Sequence, residues 1–221
     1  MDQERLLAAR RSAGTWGRLV KARLELALRF GGSSVLDIGC SSGSYVAELS
    51  RRGIRAAGCD LLADPAWSLC SGSPFFAADG AALPFGDRTF ESIVAFEVLE
   101  HQTAPEQMLA EVRRVAKERF ILSVPNCAEP IIFREAGLAY HHWTDRTHQQ
   151  FFSLEGLRLL LEENGFTLEE HSFCNPIAVD KLFLATWHVP ERIAALAGEL
   201  TKRIPFRKKY FMTILAVAKK R

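Results

Sequence analysis

The stretch Val35-Leu36-Asp37-Ile38-Gly39-Cys40-Ser41-Ser42-Gly43 decides how this chain is read. A short apolar run predicts a buried strand, and a helical pattern (Tyr45, Val46, Leu49) follows it. The turn between them is built of small residues. Gly39 lets the backbone turn tightly, Gly43 lets the helix pack close to the strand, and Ser41 and Ser42 leave room for a ligand against the main chain. Alone, such a loop is shared by many nucleotide-binding domains.

Outward from that loop, strands and helices alternate. Gly53 ends the helix, and further strands are predicted over 54–60, 75–79, 90–97 and 120–124. Pro105, a favoured first-turn residue, opens a helix with Met108, Leu109, Val112 and Val115 at helical spacing. Ser153 caps another, carrying Leu154, Leu157, Leu160 and Leu161, which Asn164-Gly165 ends. Strands over 166–173 and 210–218 close the chain and suit a hairpin at the sheet edge, with an amphipathic helix over 190–203 between them. Two helices precede the first strand, the second ending at Gly31-Gly32. The expected architecture is therefore a single α/β domain with a doubly wound, mostly parallel sheet. It divides into an N-terminal helical cap (1–30), a ligand-binding core (31–130), and an acceptor-side segment with the final strands (131–221). Ligands on such sheets bind beyond the carboxyl ends of the strands.

Composition fits this reading. The 221 residues are 48% hydrophobic and 24% charged, with a net charge of +2, enough for one sizeable core. The charge is too balanced to point to nucleic acid, although basic residues gather near both ends, including Lys219, Lys220 and Arg221. These ends read as solvated faces, with a docking surface for a phosphorylated or membrane-bound acceptor as the minority reading. Five scattered cysteines without metal-ligand spacing suit buried thiols in a reducing cytoplasm. No signal-peptide pattern or apolar stretch of membrane-spanning length is present in these residues.

Carboxylates sharpen the loop's meaning. Asp37 beside the turn would repel a pyrophosphate but suits a ligand bearing an ammonium group. Asp60, ending the next strand, can accept hydrogen bonds from ribose hydroxyls, and Asp79 can accept one from an adenine amino group. Together these describe S-adenosylmethionine in parts.

The residues also resemble a family. VLDIGCSSG is similar to the first motif of class I S-adenosylmethionine-dependent methyltransferases, in which Gly usually stands at the position of Ser41. GCDL (58–61) resembles the second motif. AADGAALPFGDRTFESIVAFEVLEH (77–101) resembles the adenine-binding and fourth-strand motifs, and SVPN (123–126) the end of the fifth strand. The resemblance covers roughly residues 30 to 175 and is specific as a set. It implies a Rossmann-like, seven-stranded sheet with an antiparallel last strand. It also implies a cofactor pocket lined by Asp37, Gly39, Cys40, Gly43, Asp60, Leu61, Asp79, Gly80 and Glu97.

The acceptor side is rich in histidine. Glu97, Glu100 and His101 end the fourth strand, and His141-His142-Trp143-Thr144-Asp145-Arg146-Thr147-His148 precedes the helix at Ser153. Methyl transfer to a hydroxyl needs in-line alignment and removal of a proton, to which His is suited. Glu97, His101 and His148 are the catalytic candidates, and His141, His142 and Trp143 the substrate-binding ones. Glu97, Glu100, His101 and His148 alternatively supply ligands for Mg²⁺ or another divalent cation that would lower a hydroxyl's pKa. The Glu-x-x-Glu-His segment is similar to that of small-RNA 2′-O-methyltransferases and of ubiquinone-biosynthesis O-methyltransferases. Phe151 and Phe152 wall the acceptor pocket or belong to the core, and Trp16 closes over the cofactor or packs structurally. The stretch over 177–187 and the helix at 193–200 suit a lid or a homodimer face.

The leading expectation is an O-methyltransferase acting on a small molecule or saccharide. The alternatives are an RNA 2′-O-methyltransferase, a dinucleotide-binding enzyme and a non-catalytic cofactor-binding protein. The RNA reading is disfavoured because no basic stripe with interleaved aromatics lies near the site.

Overall fold

A computed structural model of the chain describes residues 19–70, 72–128, 145–176, 193 and 210–221. The first predicted helix, Trp16, His141, His142, Trp143, the 177–187 stretch and the helix at 193–200 (apart from Ile193) lie outside the described residues.

Eleven regular elements order as α1 (Lys21–Phe30), β1 (Ser34–Ile38), α2 (Ser44–Arg51), β2 (Arg55–Asp60), β3 (Phe75–Ala77), β4 (Phe90–Phe96), α3 (Pro105–Val115), β5 (Ala116–Pro125), α4 (Leu154–Glu163), β6 (Phe166–Pro176) and β7 (Phe211–Lys220) among the described residues. The strands form one seven-stranded sheet in the order β3-β2-β1-β4-β5-β7-β6. β1 pairs in parallel with both β2 and β4. The order therefore reverses between β1 and β4, which opens a crevice at the carboxyl ends of these strands. β7 inserts antiparallel between β5 and β6.

Both faces of the sheet are covered, as a parallel sheet requires. Alternate residues of β1 show why. Leu36 and Ile38 join Ile93, Leu109, Val112, Phe120, Leu157 and Leu161 under α3 and α4. Val35 joins Leu26, Ala27, Tyr45, Val46, Leu49 and Val94 under α1 and α2. All five β1 residues are buried, so its run carries no polar alternation to advertise a strand. Asp37, inside that run, is consequently buried too.

Sequence and structure differ at several strand boundaries, of which two are instructive. β3 stops at Ala77 instead of continuing to Asp79: the Ala78 N–H gives the last β2–β3 bond, to the Asp60 carbonyl at 2.9 Å, and the Asp79 carbonyl then accepts from the Ala82 N–H in a turn. β5 begins at Ala116, directly after α3 and four residues before Phe120. The exposed Lys117 and Glu118 hide this extension from a reading based on apolar runs, although Arg119 already pairs with Lys219 of β7.

Candidate functional site

The turn after β1 is held from two sides. Gly39 and Cys40 both donate their backbone N–H to the Cys59 carbonyl, at 2.8 and 3.1 Å, which ties the turn to the end of β2. Gly39 (φ +71°), Ser41 (φ +48°) and Gly43 (φ +83°) all adopt left-handed backbone. A side chain at Gly39 would overlap Val98, and one at Gly43 would meet the Phe75 ring at 2.7 Å. Gly43 thus makes room for a β3 aromatic as well as for its own turn. Ser41 bears the same backbone with a Cβ, at a position where this geometry favours glycine.

Asp60 organises the loop. Its Oδ2 accepts from the Ser41 N–H at 2.9 Å and its Oδ1 from the Leu62 N–H at 3.3 Å. Trp67, which no motif marked, donates its indole N–H to the Ser41 carbonyl at 2.7 Å and stacks on Phe75. A tryptophan seven residues beyond an acidic strand end was the available signal.

Asp37 is 2% exposed, and its Oδ2 has no hydrogen-bond partner among the described residues. Burial, reinforced by the charge of nearby Asp60, pushes its carboxyl well above the usual range. An uncompensated buried carboxylate is costly, so this position suits a cationic or hydrogen-bond-donating group. Asp79 is exposed just past β3, and its Oδ1 accepts from the Ala81 N–H at 2.9 Å. Leu61 is 55% exposed beside Asp60. Gly80 packs against Ile38 and Met108. The Cys40 side chain lies in the core, where burial pushes its thiol up, so it can offer a ligand its backbone only.

Glu97 follows the last residue of β4 in left-handed backbone (φ +57°). Its Oε1 accepts from the Ser123 hydroxyl at 2.9 Å and pairs with Arg23 of α1 at 2.6 Å. Arg23 was not singled out in the sequence, because nothing local distinguishes it from the other arginines of that helix. Its guanidinium also approaches the Phe96 ring, which packs on Tyr45, and the Tyr45 hydroxyl accepts from the Val20 N–H at 2.9 Å. The start of α1 is thereby fastened to the site.

Next to it, the turn Leu99–His101 receives the distant 145–150 segment. The Glu100 carbonyl accepts from the N–H groups of Gln149 and Gln150, at 2.8 and 3.0 Å. His101 Nδ1 lies 3.1 Å from the Thr147 carbonyl, so Nδ1 carries the proton. The His101 and His148 rings are 4.9 Å apart, and His148 Nε2 is 3.7 Å from Asp145 Oδ2. Thr147 holds Asp145 through its N–H and hydroxyl. Ligand atoms of Glu100, His101 and His148 all lie within 4.8 Å of one another. Glu97 is outside that group, which changes the ligand set expected from sequence: its carboxylate is taken by Arg23 and Ser123.

Glu100 is 1% exposed, and neither of its carboxylate oxygens has a hydrogen-bond partner among the described residues. Burial, then the charge of Glu97, pushes its carboxyl well up. Burial lowers the His101 imidazole, so that ring favours its neutral form. Phe152 is buried and bridges to Asn126, which makes it core, while Phe151 is 43% exposed.

Fold and site define an α/β protein with a ligand crevice of the nucleoside-binding kind. Known proteins narrow this further. The methyltransferase domain family matches residues 8–171. A demethylmenaquinone methyltransferase of Corynebacterium kroppenstedtii is 31% identical over 121 residues, 53% of this chain and 50% of that protein. The chain spans about half the length of the curated relatives it matches. The 1,6-didemethyltoxoflavin-N1-methyltransferase of Burkholderia thailandensis, solved with bound 1,6-didemethyltoxoflavin and S-adenosylhomocysteine, superimposes with a TM-score of 0.67 at 18% identity, covering 98% of this chain and 86% of that one. Magnesium protoporphyrin IX methyltransferase of Synechocystis PCC 6803, with bound S-adenosylhomocysteine, gives 0.62 at 15% identity over 100% of both chains. The two structures share the fold. The chain belongs to the methyltransferase domain family, and the dinucleotide-binding alternative is set aside.

Proposed function

We propose that the chain transfers a methyl group from S-adenosylmethionine to a hydroxyl of a small molecule or saccharide. The observation that carries this reading is the buried Asp37 carboxylate, whose Oδ2 has no hydrogen-bond partner among the described residues, beside a glycine turn whose backbone Asp60 holds. These residues fit the cofactor: Asp37 faces a need for positive charge, Asp60 and the exposed Asp79 sit at the tips of adjacent strands, and Trp67 braces the turn. When bound, S-adenosylmethionine supplies an electrophilic methyl carbon on a sulfonium, whose sulfur leaves as a neutral thioether. His148 accepts the acceptor's hydroxyl proton, and Asp145, 3.7 Å away, stabilises the resulting imidazolium. His101, anchored through Thr147, packs on the His148 ring and positions it.

The names of the demethylmenaquinone and didemethyltoxoflavin enzymes support a small-molecule acceptor. The free thiols of all five cysteines support a cytoplasmic place of action. No helix of the described residues is long and apolar enough to cross a membrane.

A second reading is favoured by Glu100. Its buried carboxylate, without a hydrogen-bond partner among the described residues, lies beside His101 and His148 and fits a divalent cation such as Mg²⁺ or Mn²⁺. When bound there, a cation would lower the pKa of a coordinated hydroxyl.

Calorimetry with S-adenosylhomocysteine, followed by assay of His148→Ala, tests the first reading. Saturable binding, with turnover reduced far more than cofactor affinity in the variant, is expected. Equal losses in both would displace His148 from the acceptor side. Mn²⁺ titration of the protein alone tests the second, with a Mn²⁺-dependent rise in melting temperature that Glu100→Gln abolishes.

A further inference from the structure

The opposite end of the sheet carries a second cleft. It has a volume of about 460 Å³ and is lined by Asp87, Arg88, Arg113, Arg114, Glu163 and Lys220, among others. These residues come from the segment before β4, the ends of α3 and α4, and the end of β7, so the cleft lies at the amino ends of the parallel strands. The crevice around Asp37 and Asp60 is at their carboxyl ends.

Four cations here face two carboxylates, and they differ in commitment. Arg114 is fully engaged, with Glu111 at 2.7 Å, Asp87 at 3.1 Å and the Phe85 and Leu83 carbonyls. That leaves Glu163 as the cleft carboxylate without an ion pair among the described residues. Arg88 and Arg113 have no ion pair or side-chain hydrogen bond among the described residues. Lys220 donates to the Ala116 carbonyl at 3.0 Å, which places its ammonium at the cleft. Burial first, and then Arg88 and Arg113, lower its pKa, as expected of cations gathered without enough counter-charge.

Two backbone features hold this arrangement open. Arg88 takes left-handed backbone (φ +54°), unusual for a long side chain, and its N–H donates to the Arg114 carbonyl at 2.9 Å. Gly165, at φ +82°, leaves the space that the Arg113 guanidinium occupies: a Cβ there would lie 2.8 Å from Arg113 Nε.

We propose that this cleft binds a diphosphate-bearing small molecule through Arg88, Arg113 and Lys220. Planar guanidiniums pair with phosphate oxygens in forked geometry, and a cavity of this volume is larger than a single phosphate needs. The proposal accounts for the basic end at Lys220, which the methyl-transfer reading does not use, and it is independent of that reading.

Pyrophosphate titrated into the full chain at low salt tests it. One-to-one saturable heat is expected, weakened by added KCl and reduced about tenfold by Arg88→Gly or by Arg113→Gln. Glycine suits the left-handed backbone at Arg88, so this variant keeps the test decisive should Arg113→Gln fold poorly. S-adenosylhomocysteine titrations on the same samples should be unchanged, which separates this site from the methyl-transfer crevice. Absence of saturable heat overturns the proposal, as does undiminished affinity in Arg88→Gly. Binding to phosphatidylglycerol vesicles without binding to pyrophosphate would assign the cleft to a lipid headgroup and equally overturn it.

Discussion

The Asp60 carboxylate at the tip of β2 accepts a 2.9 Å hydrogen bond from the backbone N–H of Ser41, in the turn that follows β1. A residue nineteen positions away thus sets the path of the loop against which a ligand would lie. Its other oxygen restrains Leu62. Asp60→Ala strands two N–H donors, one of them in a left-handed turn. The expected loss of stability is on the order of 1–3 kcal/mol in urea denaturation, with S-adenosylhomocysteine affinity falling at least about tenfold. Unchanged affinity in a folded variant would separate the loop from the cofactor.

Ser41 offers a gain. Left-handed backbone costs a residue with a Cβ roughly 1–2 kcal/mol, part of which glycine recovers. Ser41→Gly should therefore raise stability by about 0.5–1 kcal/mol, and Ser41→Val should lower it, as read from denaturation midpoints. The serine hydroxyl would be shown to matter if the glycine variant were the less stable of the two.

Glu100 makes stability depend on pH in a defined direction. In the unfolded chain it ionises near about 4.3. In the folded protein burial, followed by Glu97, holds the proton to higher pH. The folded state then binds a proton that the unfolded state has released, so stability falls as pH rises above the ordinary glutamate range towards the raised folded value. Without divalent metal, Glu100→Gln should be more stable than the parent at pH 7–8, on the order of 1–3 kcal/mol, with the difference vanishing below about pH 4. Asp37 carries the same sign and keeps part of the slope in the variant. Saturating Mn²⁺ should reverse the order, because only the carboxylate gains from the cation.

Arg23 and Glu97 are coupled across the site at 2.6 Å, with side chains 12% and 28% exposed. Removing one partner leaves the other poorly solvated, so Arg23→Met should cost about 1–3 kcal/mol. A double-mutant cycle with Glu97→Gln should return a coupling above about 0.5 kcal/mol. Additive losses would mean that α1 is not fastened through this pair.

Legibility followed locality. The β1 run, the glycine turn and the helix starts at Pro105 and Ser153 were readable because each is dictated by residues close in the chain. The early start of β5 was hidden, since Lys117 and Glu118 are exposed and fall in the irregularity between the paired residues Ala116 and Arg119. Arg23 and Trp67 escaped notice for a similar reason: each works through a contact distant in sequence, to Glu97 and Ser41 respectively. Of the four residues expected to offer cation ligands, folding brings Glu100, His101 and His148 together and gives Glu97 an arginine partner.

The amino-acid sequence by itself determined the alternation of strands and helices and the carboxylates at successive strand ends, because periodicity and turn chemistry act over a few residues. Only the tertiary structure decided which charges are compensated. It paired Glu97, left Asp37 and Glu100 buried with oxygens unpartnered among the described residues, and collected Arg88, Arg113 and Lys220 at the far end of the sheet. Desolvation and Coulomb energy depend on position in space, and that is set when β7 inserts beside β5 and the 145–150 segment docks on Glu100.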